Sequence, residues 1–198
     1  MTAVHRKSDA GQAFPIYLTV VAGLLFLAFA YLAVGQAAAN RSGAQTAADA
    51  AALAAAQETR DDLARAWARD VLDPTRWDEI FDGVAPGVDS ACWRAYELAA
   101  MNDAEAECWS DGLLAYKVVA TTNKTVGDSI VPGTEGKRST ETARAVIERR
   151  CNLQFPGEDA GDDVLPSLSC KGEKWELDPE DLTELPDPED LFDVHLAD

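Results

Sequence analysis

Apolar side chains dominate the first part of the chain, where no charged residue occurs from Ala10 to Asn40. A bilayer core about 30 Å thick needs roughly 20 apolar residues of helix to cross it, and the stretch from Phe14 to Val34 supplies them. In lipid, only a helix or a closed barrel satisfies every backbone hydrogen bond. The pattern therefore predicts a short amino terminus over residues 1–12 and a single transmembrane helix over residues 13–36.

The flanking charges predict the orientation of this helix. Arg6 and Lys7 precede it, and the positive-inside rule places them in the cytoplasm. The alternative is a cleaved secretory signal with Ala37–Ala39 as its small-residue cleavage site, although such signals have an apolar stretch of only roughly 7–15 residues. We predict a single-pass protein of the cell membrane, surrounded by membrane lipid, with its carboxyl-terminal part outside the cytoplasm.

Helix-forming residues continue beyond the apolar run. No proline lies between Pro15 and Pro74, and alanine dominates the segment that follows the apolar run. Alanine is the best helix former, and the residue before a proline disfavours the helical conformation. We predict an alanine-rich helical stalk over residues 37–73, so that a helix from Phe14 to Arg69 would be about 84 Å long.

Small side chains recur on one face of this stalk at helical spacing, namely Ala44, Ala48, Ala52 and Ala56. Small residues allow helices to approach closely, so we predict that this face associates with other helices. Helix propensity alone is the alternative explanation. Asp49 interrupts the face, and we expect it to point to solvent rather than to a partner's cation.

Residues 74–156 mix short helical and extended patterns, which predicts a small exported α+β domain. Alternating apolar residues predict a strand over residues 112–124. Residues 142–149 fit a helix or a return strand, and we predict the strand. The aromatic residues of this domain are expected in its core: Trp77, Phe81, Trp93, Tyr96 and Trp109.

The composition changes again after Pro156. Residues 157–198 carry most of the chain's formal charge of −18 and contain prolines at 166, 179, 186 and 188. Such a segment buries too little apolar surface to offset its ordering entropy, so we predict an acidic, largely disordered tail. The overall charge also argues against a nucleic-acid partner, because phosphates require Lys and Arg.

Four cysteines fall in two local pairs in the exported part, where disulfides persist. Although four cysteines allow three connectivities, we favour the sequential pairing Cys92–Cys108 and Cys151–Cys170 over free buried thiols. Metal ligation is disfavoured, since the sequence has no Cys-x-x-Cys and only two histidines.

No catalytic or cofactor motif stands out. The sequence lacks a nucleophile elbow, a phosphate loop, a dinucleotide fingerprint and a metalloprotease helix. The acidic residues within 159–163 could bind calcium instead of simply facing solvent, but the spaced ligands of an EF-hand loop are missing. We therefore expect no enzymatic activity, no cofactor and no metal site.

Two stretches resemble the TadE/TadG-like proteins of the tight-adherence, or Flp-type, pilus assembly system. The first, DAGQA, contains Gly11 and leads into the apolar helix. The second, QTAADAAALAAA over residues 45–56, is similar to the family signature LQ-x-AADAAALAAA and contains Gln45, Ala48, Asp49, Ala52 and Leu53. The resemblance covers residues 6–58. It implies a pilin-like long helix, a non-enzymatic minor subunit or assembly factor, and contacts with other pilus assembly proteins through that helix.

One position departs from the related pilins. Flp-type pilins are cut after a glycine that is followed, at the fifth and sixth positions, by glutamate and tyrosine. Gly11 is followed there by Ile16 and Tyr17, so we predict that the chain is not cut at Gly11.

The function hypotheses come from different classes. The first is a membrane-anchored pilus protein. The second is a single-span surface binding module whose acidic tail recruits a basic partner or cations. An exported hydrolase has no supporting residues.

Overall fold

One long helix forms the axis of the molecule. The computed structural model describes residues 13–125, 136–156 and 164–197. Helix α1 runs over Ala13–Arg69, 57 residues, which corresponds to about 85 Å. It is continuous through the apolar run and the alanine-rich segment, as predicted, because its one proline, Pro15, lies in the first turn, where the missing N–H costs little.

Within these described ranges, a turn and three short helices accompany α1. A 3₁₀ turn over Pro74–Arg76 leads into α2, Trp77–Phe81. Helix α3 spans Cys92–Met101, and α4 spans Pro188–Leu191. Pro74 stands at the first position of its turn, which matches the preference of proline for helix starts.

A four-stranded antiparallel sheet packs against α1. Its strands are β1 (Ala104–Ser110), β2 (Ala115–Thr122), β3 (Thr140–Arg149) and β7 (Phe192–Leu196), in the order β1-β2-β3-β7. The two predicted strands are confirmed as β2 and β3. The alternation of Ala143, Ala145 and Ile147, all buried, explains why residues 142–149 form a strand although their composition suits a helix.

A smaller antiparallel sheet lies in the carboxyl-terminal part. It contains β4 (Cys151–Gln154), β5 (Ser167–Cys170) and β6 (Glu173–Trp175), in the order β4-β5-β6. Together the helices and both sheets confirm the α+β class.

The predicted disordered tail is corrected for residues 164–197. This segment contains β5, β6, α4 and β7, and β7 pairs with β3 from Ala145 to Arg149. Phe192 is fully buried, as is Leu191 just before it. These apolar residues anchor the strand, although acidic residues surround them in the sequence.

The core lies between α1, α3 and one face of the larger sheet. Trp67, Trp77 and Phe81 are fully buried within it, and the rings of Trp67 and Trp77 meet edge to face. Three aromatic residues expected in the core are instead exposed, by 57% at Trp93, 49% at Tyr96 and 41% at Trp109. Trp93 and Tyr96 lie on the outer side of α3, whose Ala95 and Ala99 face the core.

Candidate functional site

The amino-terminal half of α1 exposes its apolar side chains. Phe14, Phe26 and Leu27 are each more than 60% exposed. Among the described residues, α1 is the one helix long and apolar enough to cross a membrane, and the rest of the described chain buries none of its most apolar stretch. A continuous apolar surface of this length is unfavourable in water and has the dimensions of a membrane-spanning segment, which is consistent with membrane anchoring.

The alanine face of α1 is covered by the chain itself. Ala44, Ala48, Ala52 and Ala56 are all fully buried. Helix α1 contacts α3, β2 and β3 along this part, and three of the four alanines share a core cluster with Val118 and Ala145 of the sheet. The small side chains let the sheet lie close to the helix.

This position corrects the expectation that the four alanines associate with other helices. A fully buried methyl group reaches a second chain only if the sheet moves away. The exposed part of α1 is instead its amino-terminal half.

The polar residues of the signature form a local pair. Gln45 Nε2 donates a hydrogen bond to Asp49 Oδ1 at 2.7 Å, one helical turn away. Both residues are half-buried. The sequence predicts that Asp49 points to solvent, whereas in the structure its carboxylate is partly covered and accepts this hydrogen bond. Leu53, the remaining signature residue, is partly buried against the core. Gly11 lies outside the described residues, and the expectation that the chain is not cut there stays a prediction.

Polar contacts fix α1 to the end of the domain nearest the apolar half. Asn40 Nδ2 donates to the Lys124 carbonyl oxygen at 3.2 Å, and Arg41 Nε lies 2.7 Å from Glu141 Oε1. Lys124 Nζ donates to Asp103 Oδ2 at 2.7 Å. This hydrogen bond and the charge of Asp103 raise the pKa of Lys124 above its ordinary value. The ammonium therefore stays charged at neutral pH.

A cleft of about 400 Å³ opens beside these contacts. Helix α1 forms one wall with Gln36, Ala39, Asn40 and Gly43. The ends of α3 and β2 form the other wall, which includes Asp103 and Lys124. The cleft lies where the exposed half of the helix meets the folded domain.

Both predicted disulfides are present. Cys92 at the start of α3 is bonded to Cys108 of β1, and Cys151 of β4 is bonded to Cys170 of β5. The second pair links residues that lie directly opposite each other in the smaller sheet. Each disulfide thus fastens an edge of the domain that short elements alone would hold weakly.

Two polar networks in the structure were not predicted from the sequence. Tyr116 Oη accepts a hydrogen bond from the Ala91 amide and shares another with Thr59 Oγ1. Arg60 reaches Glu189 at 3.0 Å and so ties α1 to α4. No local pattern marks these contacts, because their partners are distant in sequence.

The described residues contain no cluster suited to a metal. Over 13–125, 136–156 and 164–197, no group of three or more His, Cys, Asp or Glu side chains is arranged to hold an ion. The calcium alternative falls on residues 159–163, which lie outside the described residues.

Comparison with known proteins identifies a family that matches the amino-terminal part of the chain. The model of the Tad family, described as "Putative Flp pilus-assembly TadE/G-like", matches residues 11–58. The searches of curated proteins and of solved structures each found no match. The matched segment contains the exposed apolar half of α1, the Gln45–Asp49 pair and the four buried alanines. The resemblance to the TadE/TadG-like pilus-assembly family is therefore confirmed over residues 11–58.

Proposed function

We propose that this chain is a non-enzymatic, membrane-anchored minor subunit or assembly factor of a Flp/Tad-type adhesive pilus. The family match over residues 11–58 carries this proposal. The matched segment contains both the exposed apolar half of α1 and the buried alanines through which α1 packs against the domain. A single helix thus serves as anchor and as core element.

The proposed topology has the amino terminus in the cytoplasm and the domain outside. Arg6 and Lys7 favour this orientation. The two disulfides support it, because disulfides persist in oxidising compartments. Protease added to intact spheroplasts should digest the domain and leave a short amino-terminal fragment in the membrane. Complete protection of the domain would contradict this orientation.

Other pilus assembly proteins are the proposed partners, through the apolar half of α1. Gly23 lies at the middle of this half, and a Cβ added there meets no atom within 4 Å. Within lipid, helices associate where small residues permit close approach, and Gly23 is the one glycine between Phe14 and Val34, so we propose that a neighbouring helix packs at this position.

The Gly23→Leu variant tests this contact. Leucine keeps the segment apolar and helical, so membrane level should be unchanged while co-purification of pilus components falls. Ala68→Leu is the matched control, since Ala68 is an exposed position of the same helix outside the apolar half. Unchanged co-purification with Gly23→Leu would argue against a contact at this position.

The second candidate function is a single-span surface binding module that recruits a basic partner or cations. It is favoured by the exposed acidic residues between β6 and α4, among them Glu180 and Glu184. The double variant Glu180→Gln, Glu184→Gln separates the two functions. Normal pili in this variant and lost pili in Gly23→Leu favour the pilus role, whereas the reverse pattern favours the binding module.

A further inference from the structure

Helix α1 is a continuous connection between the apolar segment and the folded domain. Its backbone is helical from Ala13 to Arg69, with no loop between the two parts. The apolar run ends at Val34, and Asn40 and Arg41 already form polar contacts with the domain. The connection is therefore residues 35–39, which span about 7.5 Å of helix.

The usual causes of a kink do not interrupt this connection. Sharp bends in helices occur at proline, at glycine–serine pairs or at π-bulges. The proline of α1 lies in the first turn, and Gly35 is an isolated glycine within continuous helix. The pair Ser42–Gly43 lies between Arg41, which forms an ion pair with the sheet, and Ala44, which is fully buried. A bend at this pair would break contacts on both of its sides.

The number of residues in the connection sets the rotation of the domain about α1. Successive residues of an α-helix are turned by about 100° and rise by about 1.5 Å. The side of α1 on which Gly23 lies therefore fixes which side of the domain stands above it. The sides of the domain differ, because α1 contacts the sheet and α3 on one side, whereas Thr46 and Gln57 are exposed on another.

We infer that α1 is a rigid coupling between the partner contact at Gly23 and the domain. A helix that packs at Gly23 then meets one defined side of the domain, so that assembly depends on the rotation of the domain about α1. This inference rests on the proposed function, which supplies the partner helix. A flexible tether, in contrast, would let the domain meet the partner at any rotation.

Distance measurements by double electron–electron resonance test the rigidity in the reconstituted full chain. Spin labels are attached at Leu27→Cys in the apolar half and at Thr142→Cys in the domain, both of which are exposed positions. We expect one narrow distance distribution. Insertion of Gly-Gly-Ser-Gly after Ala37 is the control and should broaden the distribution. An equally broad distribution without the insertion overturns the rigid coupling.

Alanine insertions after Ala37 test the dependence on rotation. Alanine is the best helix former, and an insertion here leaves the contacts from Asn40 onward in place. Two alanines turn the domain by about 200° and raise it by about 3 Å, whereas four turn it about 40° past a full turn and raise it by about 6 Å. We expect co-purification of pilus components to fall several-fold with two alanines and to stay near that of the parent with four.

The outcomes separate this inference from the proposed function. Displacement alone would make the longer insertion more harmful, so a greater loss with four alanines, or an equal result for both insertions, overturns the coupling alone. A parent chain that co-purifies with no pilus component refutes the partner contact of the proposed function. The distance measurement does not depend on that contact, because it uses the chain by itself.

Discussion

Tyr116 is the residue at which three elements of the domain meet. Its hydroxyl lies 2.8 Å from Thr59 Oγ1 of α1 and 3.0 Å from the Ala91 amide that precedes α3. Because the amide N–H donates to Oη, the tyrosine hydroxyl is free to donate to Thr59. Both hydrogen bonds are buried, so a lost partner leaves polar groups unsatisfied.

The Tyr116→Phe variant should lower the free energy of unfolding by about 1–3 kcal/mol, the usual cost of an unsatisfied buried group. Urea unfolding of the reconstituted protein measures it. Tyr96→Phe is the control, because Tyr96 is 49% exposed, and it should change stability little. Equal stability of Tyr116→Phe and the parent would show that water replaces the lost contacts.

Asp181 gives a pH-dependent contact. The Thr183 hydroxyl and amide both donate to Asp181 Oδ1, at 2.6 and 3.2 Å. These two hydrogen bonds, chiefly the one from the hydroxyl, hold the pKa of Asp181 below its ordinary value. A carboxylate whose pKa is lowered by folding stabilises the fold above its unfolded pKa, and this contribution is lost as the pH falls through the folded pKa.

We predict that Thr183→Val raises the pKa of Asp181 toward its ordinary value of about 3.9. NMR titration of the Asp181 carboxyl carbon measures the change. Thr142→Val, at an exposed position of β3, should leave it where it is in the parent. An unchanged pKa in Thr183→Val would assign the lowering to another group.

At the scale of elements, the alanine face of α1 carries the clearest prediction. Ala48 and Ala52 are fully buried against the domain. Leucine at either position overpacks a filled core, which costs roughly 1–3 kcal/mol per substitution. We expect lower unfolding free energies and lower protein levels for both variants, by urea unfolding and immunoblotting. Ala68→Leu, on the exposed side of the helix, should leave the unfolding free energy unchanged. If all three variants were as stable as the parent, the alanine face would not be packed against the domain and could contact another chain.

The disulfides should stabilise the domain independently of the membrane segment. The bonded cysteines are separated by 16 and 19 positions. In the chain-entropy model a loop of about 15 residues contributes roughly 3 kcal/mol. Reduction should therefore lower the urea midpoint monitored by tryptophan fluorescence, while circular dichroism still reports a lipid-protected helix. An unchanged midpoint after complete reduction would contradict this role.

Helices and strands with a strong local pattern of apolar residues could be predicted from the sequence. Those that depend on partners distant in the sequence could not. The apolar run and the lack of proline predicted α1, and alternation predicted β2 and β3. Strand β7 was missed although Phe192, Val194 and Leu196 alternate, because dense acidic residues around it suggest a chain without a core. Pairing with β3 and the Arg60–Glu189 contact stabilise this part of the chain, and both involve residues that are distant in sequence.

In the whole molecule, one helix connects an exposed apolar segment with a folded domain. The amino half of α1 exposes apolar side chains, whereas its carboxyl half is buried in a disulfide-bonded domain. The sequence predicted this division, because the charge-free run and the alanine signature are both local. It could not show that the alanines face the chain's own sheet, since that depends on packing between residues far apart in sequence.

Counting pili by electron microscopy tests most directly whether the anchored chain is needed for pilus assembly. Cells lacking the chain should have no pili, and the parent chain should restore them. The double variant Leu24→Arg, Leu27→Arg should fail, because each arginine near the middle of the segment costs about 2.5–3.5 kcal/mol on insertion. Leu72→Arg, at a position 58% exposed beyond the helix, should restore pili fully. A normal number of pili on cells without the chain, or on cells with the double variant, would contradict the proposed function.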